Sequence, residues 1–173
     1  MIALELRYVE LYNWTSYWNA PFGEEGATPH CFDFNSQSGN KGYAIFGENS
    51  RGKSSFTDAV QWLLFGKAWT KPVSTDGGRT QKKTLRPLVG NPRDQNFPLL
   101  NTTAFLEENF NFFVKAIFVK DGDLYQLARA AGPIEEGLVV EHDDDMEVSL
   151  QVKNASTGEI WEEEDAQDFI DSE

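Results

Sequence analysis

Apolar and polar residues alternate from the start of the chain. Ile2, Leu4, Leu6 and Tyr8 fall on one parity, Glu5 and Arg7 on the other, so residues 2–12 read as a half-buried strand. Residues 31–34, Cys31-Phe32-Asp33-Phe34, predict a second strand, and Gly42-Tyr43-Ala44-Ile45-Phe46 a short buried third. The period then changes. Between Ser54 and Phe65 the apolar residues Phe56, Ala59, Val60, Leu63 and Leu64 recur at helical spacing. Trp62 and Phe65 lie off that stripe and make the helix apolar nearly all round, which predicts burial on several sides, as for a central helix against a sheet. Gly66 is placed to end it.

The second half returns to a period of two. Residues 114–119 and 124–130 predict a hairpin around Asp121-Gly122, a strong two-residue turn signal. Residues 146–152 and 159–161 predict another pair around Thr157-Gly158, and residues 163–170 the start of a helix. Asn101 suits the cap of a short helix reaching about Glu108, although Thr102 and Thr103 keep a strand open. Trp14, Tyr17 and Trp18 crowd the segment after the first strand. They serve either a buried corner under the sheet or a stacking surface for a base, and the corner is the preferred expectation.

Between strand three and the central helix lies Gly47-Glu48-Asn49-Ser50-Arg51-Gly52-Lys53-Ser54, followed by Ser55. It fits the phosphate-binding pattern G-x-x-x-x-G-K-[ST] at every fixed position, in the strand–turn–helix context that pattern needs. A polyphosphate requires converging N–H donors and no side chains in the way. Gly47 and Gly52 permit the tight turn and close approach. The amides from Asn49 to Ser54 can point inward as an anion nest at a helix N-terminus, with Glu48 and Ser50 within the same loop and Ser55 also expected to bind the nucleotide. Lys53 is the expected catalytic cation, reaching the β- and γ-phosphates. Ser54 is the expected Mg²⁺ ligand, and Arg51 adds a second cation. The expected cofactors are therefore ATP and Mg²⁺; no Asn-Lys-x-Asp guanine-reading motif accompanies the loop.

Charge divides the chain. The formal net charge is −13, yet residues 135–173 carry fifteen acidic residues against the single basic Lys153. Residues 67–93 are the reverse, with Lys67, Lys71, Arg79, Lys82, Lys83, Arg86 and Arg93 against Asp76. That segment is punctuated by Pro72, Gly77-Gly78, Pro87, Gly90 and Pro92 and reads as a long basic loop. With the lone Cys31, no membrane-length apolar run and no signal-peptide pattern at the N-terminus, the expectation is a cytoplasmic protein without a membrane partner. His30 and Cys31 have no companions at metal-site spacing.

The stretch from Ile45 through the loop to Leu64-Phe65-Gly66 resembles the N-terminal head segment of SMC-like ATPases, the group with chromosome-maintenance and double-strand-break-repair members. Its Arg51-Gly52-Lys53-Ser54-Ser55 and Trp62 look like the DndD-type ATPases of DNA sulfur modification and related bacterial defence. Leu11-Tyr12-Asn13-Trp14 and the hairpin end Tyr125-Gln126-Leu127-Ala128-Arg129 fit the same order.

The resemblance implies an α/β fold: a P-loop NTPase with an ABC-type head lobe and an antiparallel β subdomain, interrupted before a coiled coil. It divides the chain into strands, loop and helix (1–66), a basic loop (67–93) and a β-rich subdomain with an acidic end (94–173). It implies an ATPase that turns over only in the full-length dimer. The partners would be a second head, the C-terminal half of the head with its signature and second acidic motifs, and DNA met through Lys82, Lys83 and Arg86. Neither of those two motifs is in this sequence, so the chain reads as the N-terminal half of such a head, inactive alone. Two other readings stay open: a nucleotide-binding assembly module without turnover, and a small P-loop phosphotransferase using the 67–93 arginines as a lid.

Overall fold

The computed structural model describes residues 5–34, 52–69, 73–75, 80–82, 84–90 and 97–172. The expected strand at 42–46 and the loop residues Gly47, Glu48, Asn49, Ser50 and Arg51 lie outside them. The chain is α/β, built on one six-stranded antiparallel sheet. Its strands are β1 (Glu5–Tyr12), β2 (His30–Asp33), β5 (Phe112–Lys120), β6 (Asp123–Pro133), β7 (Met146–Asn154) and β8 (Ile160–Glu162), in the order β2-β1-β5-β6-β7-β8. The strands before and after the basic segment thus share one sheet and one core.

The β5–β6 hairpin turns where Asp121-Gly122 predicts it. Both residues have positive φ, 52° and 93°, as a type I′ turn demands and as only a short polar residue and a glycine tolerate cheaply. Strand β1 follows its alternation only in part. Leu6 pairs with Phe118 but Tyr8 with Ile117, so an irregularity at Arg7 shifts the register by one. One extra residue flips the parity of everything after it. Val9 and Leu11 therefore enter the core, and Tyr8 goes to the opposite face with Glu10 and receives its hydrogen-bonding environment there.

One face of the sheet carries the core. Helix α1 (Lys53–Phe65) lies against β5 and β6, and α3 (Glu163–Ser172) against β7, β8 and α1. The buried stripe of α1 is Phe56, Ala59, Trp62 and Leu63. It is rotated towards Trp62 relative to the stripe drawn from spacing alone, because Trp62 packs between Trp14 at 5.1 Å and Phe112 at 5.4 Å. Val60 and Leu64 are only partly buried, and Phe65 is exposed. Helix α3 places Ala166, Phe169 and Ile170 inward, with Phe169 stacked on Trp161, while its acidic residues Glu163, Glu164 and Asp165 are exposed.

The preferred corner forms after β1. Trp14 is fully buried, and Asn13 and Asn19 exchange backbone-to-amide hydrogen bonds of 3.1 and 2.8 Å. Asn109 reaches the Tyr12 hydroxyl and the Asn19 carbonyl, so these buried amides are satisfied. Asn101 caps the short helix α2 (Thr102–Leu106), accepting from the N–H groups of Thr103 and Ala104. Trp18, by contrast, is exposed and donates to Glu107.

The basic segment is not a plain loop. It holds a two-stranded ribbon, β3 (Val73–Thr75) with β4 (Thr80–Lys82), separate from the main sheet. At its base Trp69 and Leu85 form an antiparallel bridge and the Arg86 N–H donates to Ala68 O. Strands of three residues are too short to leave a period in the sequence. Among the described residues no helix is long and apolar enough to cross a membrane.

Candidate functional site

Of the expected phosphate loop the described residues hold the final glycine and the first helical turn. Gly52 is the N-cap of α1 and sits in the left-handed region at φ 87°. A left-handed residue running into helical Lys53 is the backbone pattern that turns successive amides the same way. Glycine is required there twice over: by the φ, and because a Cβ on Gly52 would lie 2.8 Å from the Tyr17 hydroxyl. Lys53 and Ser55 are half-buried and Ser54 is exposed. No side chain caps this turn among the described residues, and its first turn holds no acidic residue.

The corner after β1 braces the same turn, through carbonyls rather than amides. Tyr17 Oη donates to Gly52 O at 3.1 Å, and Trp14 Nε1 donates to Ser55 O at 2.8 Å. The hydroxyls of Ser16 and Ser55 lie 3.2 Å apart. Burial pushes the Tyr17 phenol above its usual value, because a phenolate loses its hydration there. Sequence reasoning foresaw the crowding of Trp14 and Tyr17 but not their target. No periodicity encodes a contact to a helix forty residues on.

The other end of α1 is closed differently. Gly66 adopts φ 64° and donates to Trp62 O. Arg129, buried on β6, donates from Nε to Leu63 O at 3.1 Å and from Nη2 to Gln167 at 2.8 Å. Gln167 in turn donates to Leu64 O. Burial pulls the Arg129 pKa down and Glu163 opposes it. A guanidinium stays charged regardless and lies favourably at a helix C-terminus.

Of the three cations expected to meet DNA, only Arg86 has a described side chain, and it is enclosed. Arg86 leaves the set. Its guanidinium bonds Asp58 Oδ2 at 2.8 Å, Phe97 O at 2.7 Å and Pro98 O at 2.9 Å, and its side chain is 10% exposed. A group so enclosed has its donors committed inside the fold. It ties the ribbon base to the middle of α1, and burial lowers its pKa against the pull of Asp58. Lys82 ends β4, and Lys83 lies outside the described residues.

A separate groove of about 400 Å³ opens near the start of β5, lined by Phe110, Pro133, Leu138 and the carboxylates of Glu108, Glu135 and Glu136. Among the described residues no cluster of His, Cys, Asp and Glu is arranged to hold a metal. Comparison with known protein families, with characterised proteins and with solved structures finds no match to this chain.

Proposed function

We propose that the chain is the ATP-binding N-terminal half of an SMC-like ATPase head, a P-loop NTPase of the ABC type, serving DNA sulfur modification, repair or a related DNA defence. The observation that carries the reading is the first turn of α1. The pattern's final glycine stands there as a left-handed N-cap where any Cβ would be strained and would press on Tyr17, and no side chain among the described residues caps the turn. The second support is that α1 has no acidic residue in its first turn, in a chain of net charge −13.

The residues fit the cofactor. The amides from Gly47 to Ser55 would hold the ATP phosphates, Lys53 would neutralise their charge and Ser54, exposed at the turn, would ligate Mg²⁺. The metal supplies charge neutralisation on the β- and γ-oxygens. What this chain itself does is bind and orient: Tyr17 and Trp14 hold the turn rigid from behind, so the amides need not reorganise when an anion arrives. Turnover would need the acidic and signature motifs of the remaining head and a second head. DNA contact falls to Lys82 and Lys83 of the basic segment.

Titration calorimetry of MgATP into wild type and Lys53→Ala tests the reading. Affinity is expected to fall at least about tenfold, and the apo melting temperature of both proteins is measured alongside. Equal affinity for the two proteins removes the site.

A further inference from the structure

The groove near the start of β5 combines an apolar lining with charge of a single sign. It holds about 400 Å³ between the turn after α2 and the connection from β6 to β7. Phe110, Pro133, Leu138 and Val139 supply the apolar surface. Phe110 is 7% exposed and packs on Phe105 at 5.7 Å, whereas Val139 is 64% exposed. The groove thus has a fixed floor and an open side. Glu108, Glu135 and Glu136 line it, and no lysine or arginine does. Among the described residues no ion pair reaches these three carboxylates. Between Arg129 and Lys153 the sequence offers no lysine or arginine to neutralise them.

Both lining segments are held in place. Glu108 sits at φ 57° after α2, and the buried Asn109 that follows donates to Tyr12 Oη and Asn19 O. In the other segment Ile134 N–H donates to Asp145 O, Leu138 N–H donates to Glu135 O, and Val140 is buried in the core. Asn111 lies so close over Gly132 that a Cβ there would meet its Oδ1 at 2.5 Å. The groove is therefore formed before anything enters it, which lowers the cost of filling it.

The charge selects the occupant. Nucleic acids, nucleotides and anionic lipids are repelled. A metal ion finds no cluster of ligands among the described residues. A small amine gains little beyond charge, because a groove that leaves Val139 so open covers little of it. A protein segment with an apolar side chain flanked by basic ones meets both features. The apolar side chain covers the open lining, the basic stems lie along its edges, and their heads reach the carboxylates.

We infer that this groove docks a basic segment of a partner protein, with an apolar side chain seated between lysines or arginines. The inference goes beyond the ATP reading and does not depend on it, since no groove residue belongs to the phosphate loop.

Fluorescence anisotropy at about 0.15 M salt, where free charges are screened beyond about 8 Å, tests it with a pair of short labelled peptides. One carries a leucine between lysines, and the other a serine in its place. The leucine peptide should bind at least about fivefold more tightly. Glu135→Gln with Glu136→Gln should weaken it about fivefold or more. Glu164→Gln with Asp165→Asn makes the same charge change at exposed positions of α3 and should stay within about twofold. Val139→Ser should remove most of the preference for leucine. All these positions are exposed, so the variants should melt with the wild type, and melting is measured alongside. No binding of the leucine peptide, equal affinity for the two peptides, or equal losses in the groove pair and the α3 pair overturns the docking groove. The result for MgATP with Lys53→Ala bears on the ATP reading alone.

Discussion

The two ends of α1 are built on opposite plans. At the C-terminal end three of the last carbonyls receive a donor: Trp62 from Gly66, Leu63 from Arg129 and Leu64 from Gln167. At the N-terminal end the neighbours again seek carbonyls, Tyr17 on Gly52 and Trp14 on Ser55, and no described side chain caps the turn. Helix termini leave several amides and several carbonyls without intrahelical partners, and burying either kind unpaired is costly. A helix whose last carbonyls are tied to protein, and whose first turn no described side chain caps, is braced at one end and, on the reading proposed here, receptive at the other.

The sharpest way to break that comparison is at the closed end. Arg129→Met keeps the apolar stem and removes the donors to Leu63 and Gln167 together with the cation at the helix C-terminus. A loss of about 2 to 4 kcal/mol in urea unfolding is expected, since a buried carbonyl and a half-buried amide oxygen lose their partner at once. MgATP affinity of the folded protein should stay within about twofold. A matching loss of affinity would show that the two ends are not independent.

Gly52→Ala attacks the receptive end. The left-handed conformation costs an alanine about 1 to 2 kcal/mol, and its Cβ would press on the Tyr17 ring and hydroxyl. Stability should fall by that amount, less than for Arg129→Met. Tripolyphosphate and MgATP binding should fall together by more than about tenfold, because the amides turn away from the anion. Calorimetry on both ligands reads the outcome, and intact phosphate binding in a destabilised protein would mean that the turn does not present its amides.

How much of this was legible in the sequence follows from the range of each interaction. The hairpin at Asp121-Gly122, the Asn101 cap and the Gly66 stop are set by one to four neighbouring residues, and the sequence reading placed each correctly. The face of β1 was misread beyond Arg7, because an irregularity in pairing is fixed by the partner strand and leaves no local mark. Trp62 was set off the buried stripe for a similar reason: Trp14 and Phe112, which bury it, come from distant strands. Arg86 was counted with Lys82 and Lys83 because charge in a sequence does not reveal a partner, and Asp58 lies 28 residues away. The phosphate loop is legible by pattern, and the described residues carry its last glycine and first helical turn. The Asn13, Asn19 and Asn109 network that steadies the corner behind it has no sequence signature.

The smallest effect sharpens the comparison most. Tyr17→Phe removes only the hydroxyl that holds Gly52 O. That carbonyl keeps the Phe56 N–H at 3.0 Å, so it is not orphaned and the loss near neutral pH should be about 1 kcal/mol or less. The phenol adds a pH signature. Burial raises the folded-state pKa of Tyr17 above the ordinary value of 10.0. A group raised in this way favours the neutral form in the fold, so its contribution is complete below about pH 9. It is lost as the pH climbs through 10 towards the folded value, where the unfolded chain ionises first. Tyr8 behaves likewise, raised chiefly by its hydrogen bond with Cys31 and then by burial and Glu10. Wild type should therefore lose stability on the alkaline side in two parts. Thermal melts from about pH 8 to about pH 11 should show a shallower alkaline fall in Tyr17→Phe than in wild type, while Tyr8→Phe removes the other part. If the two curves fall in parallel, the Tyr17 hydroxyl is not enclosed against α1, and the receptive end is not braced from behind.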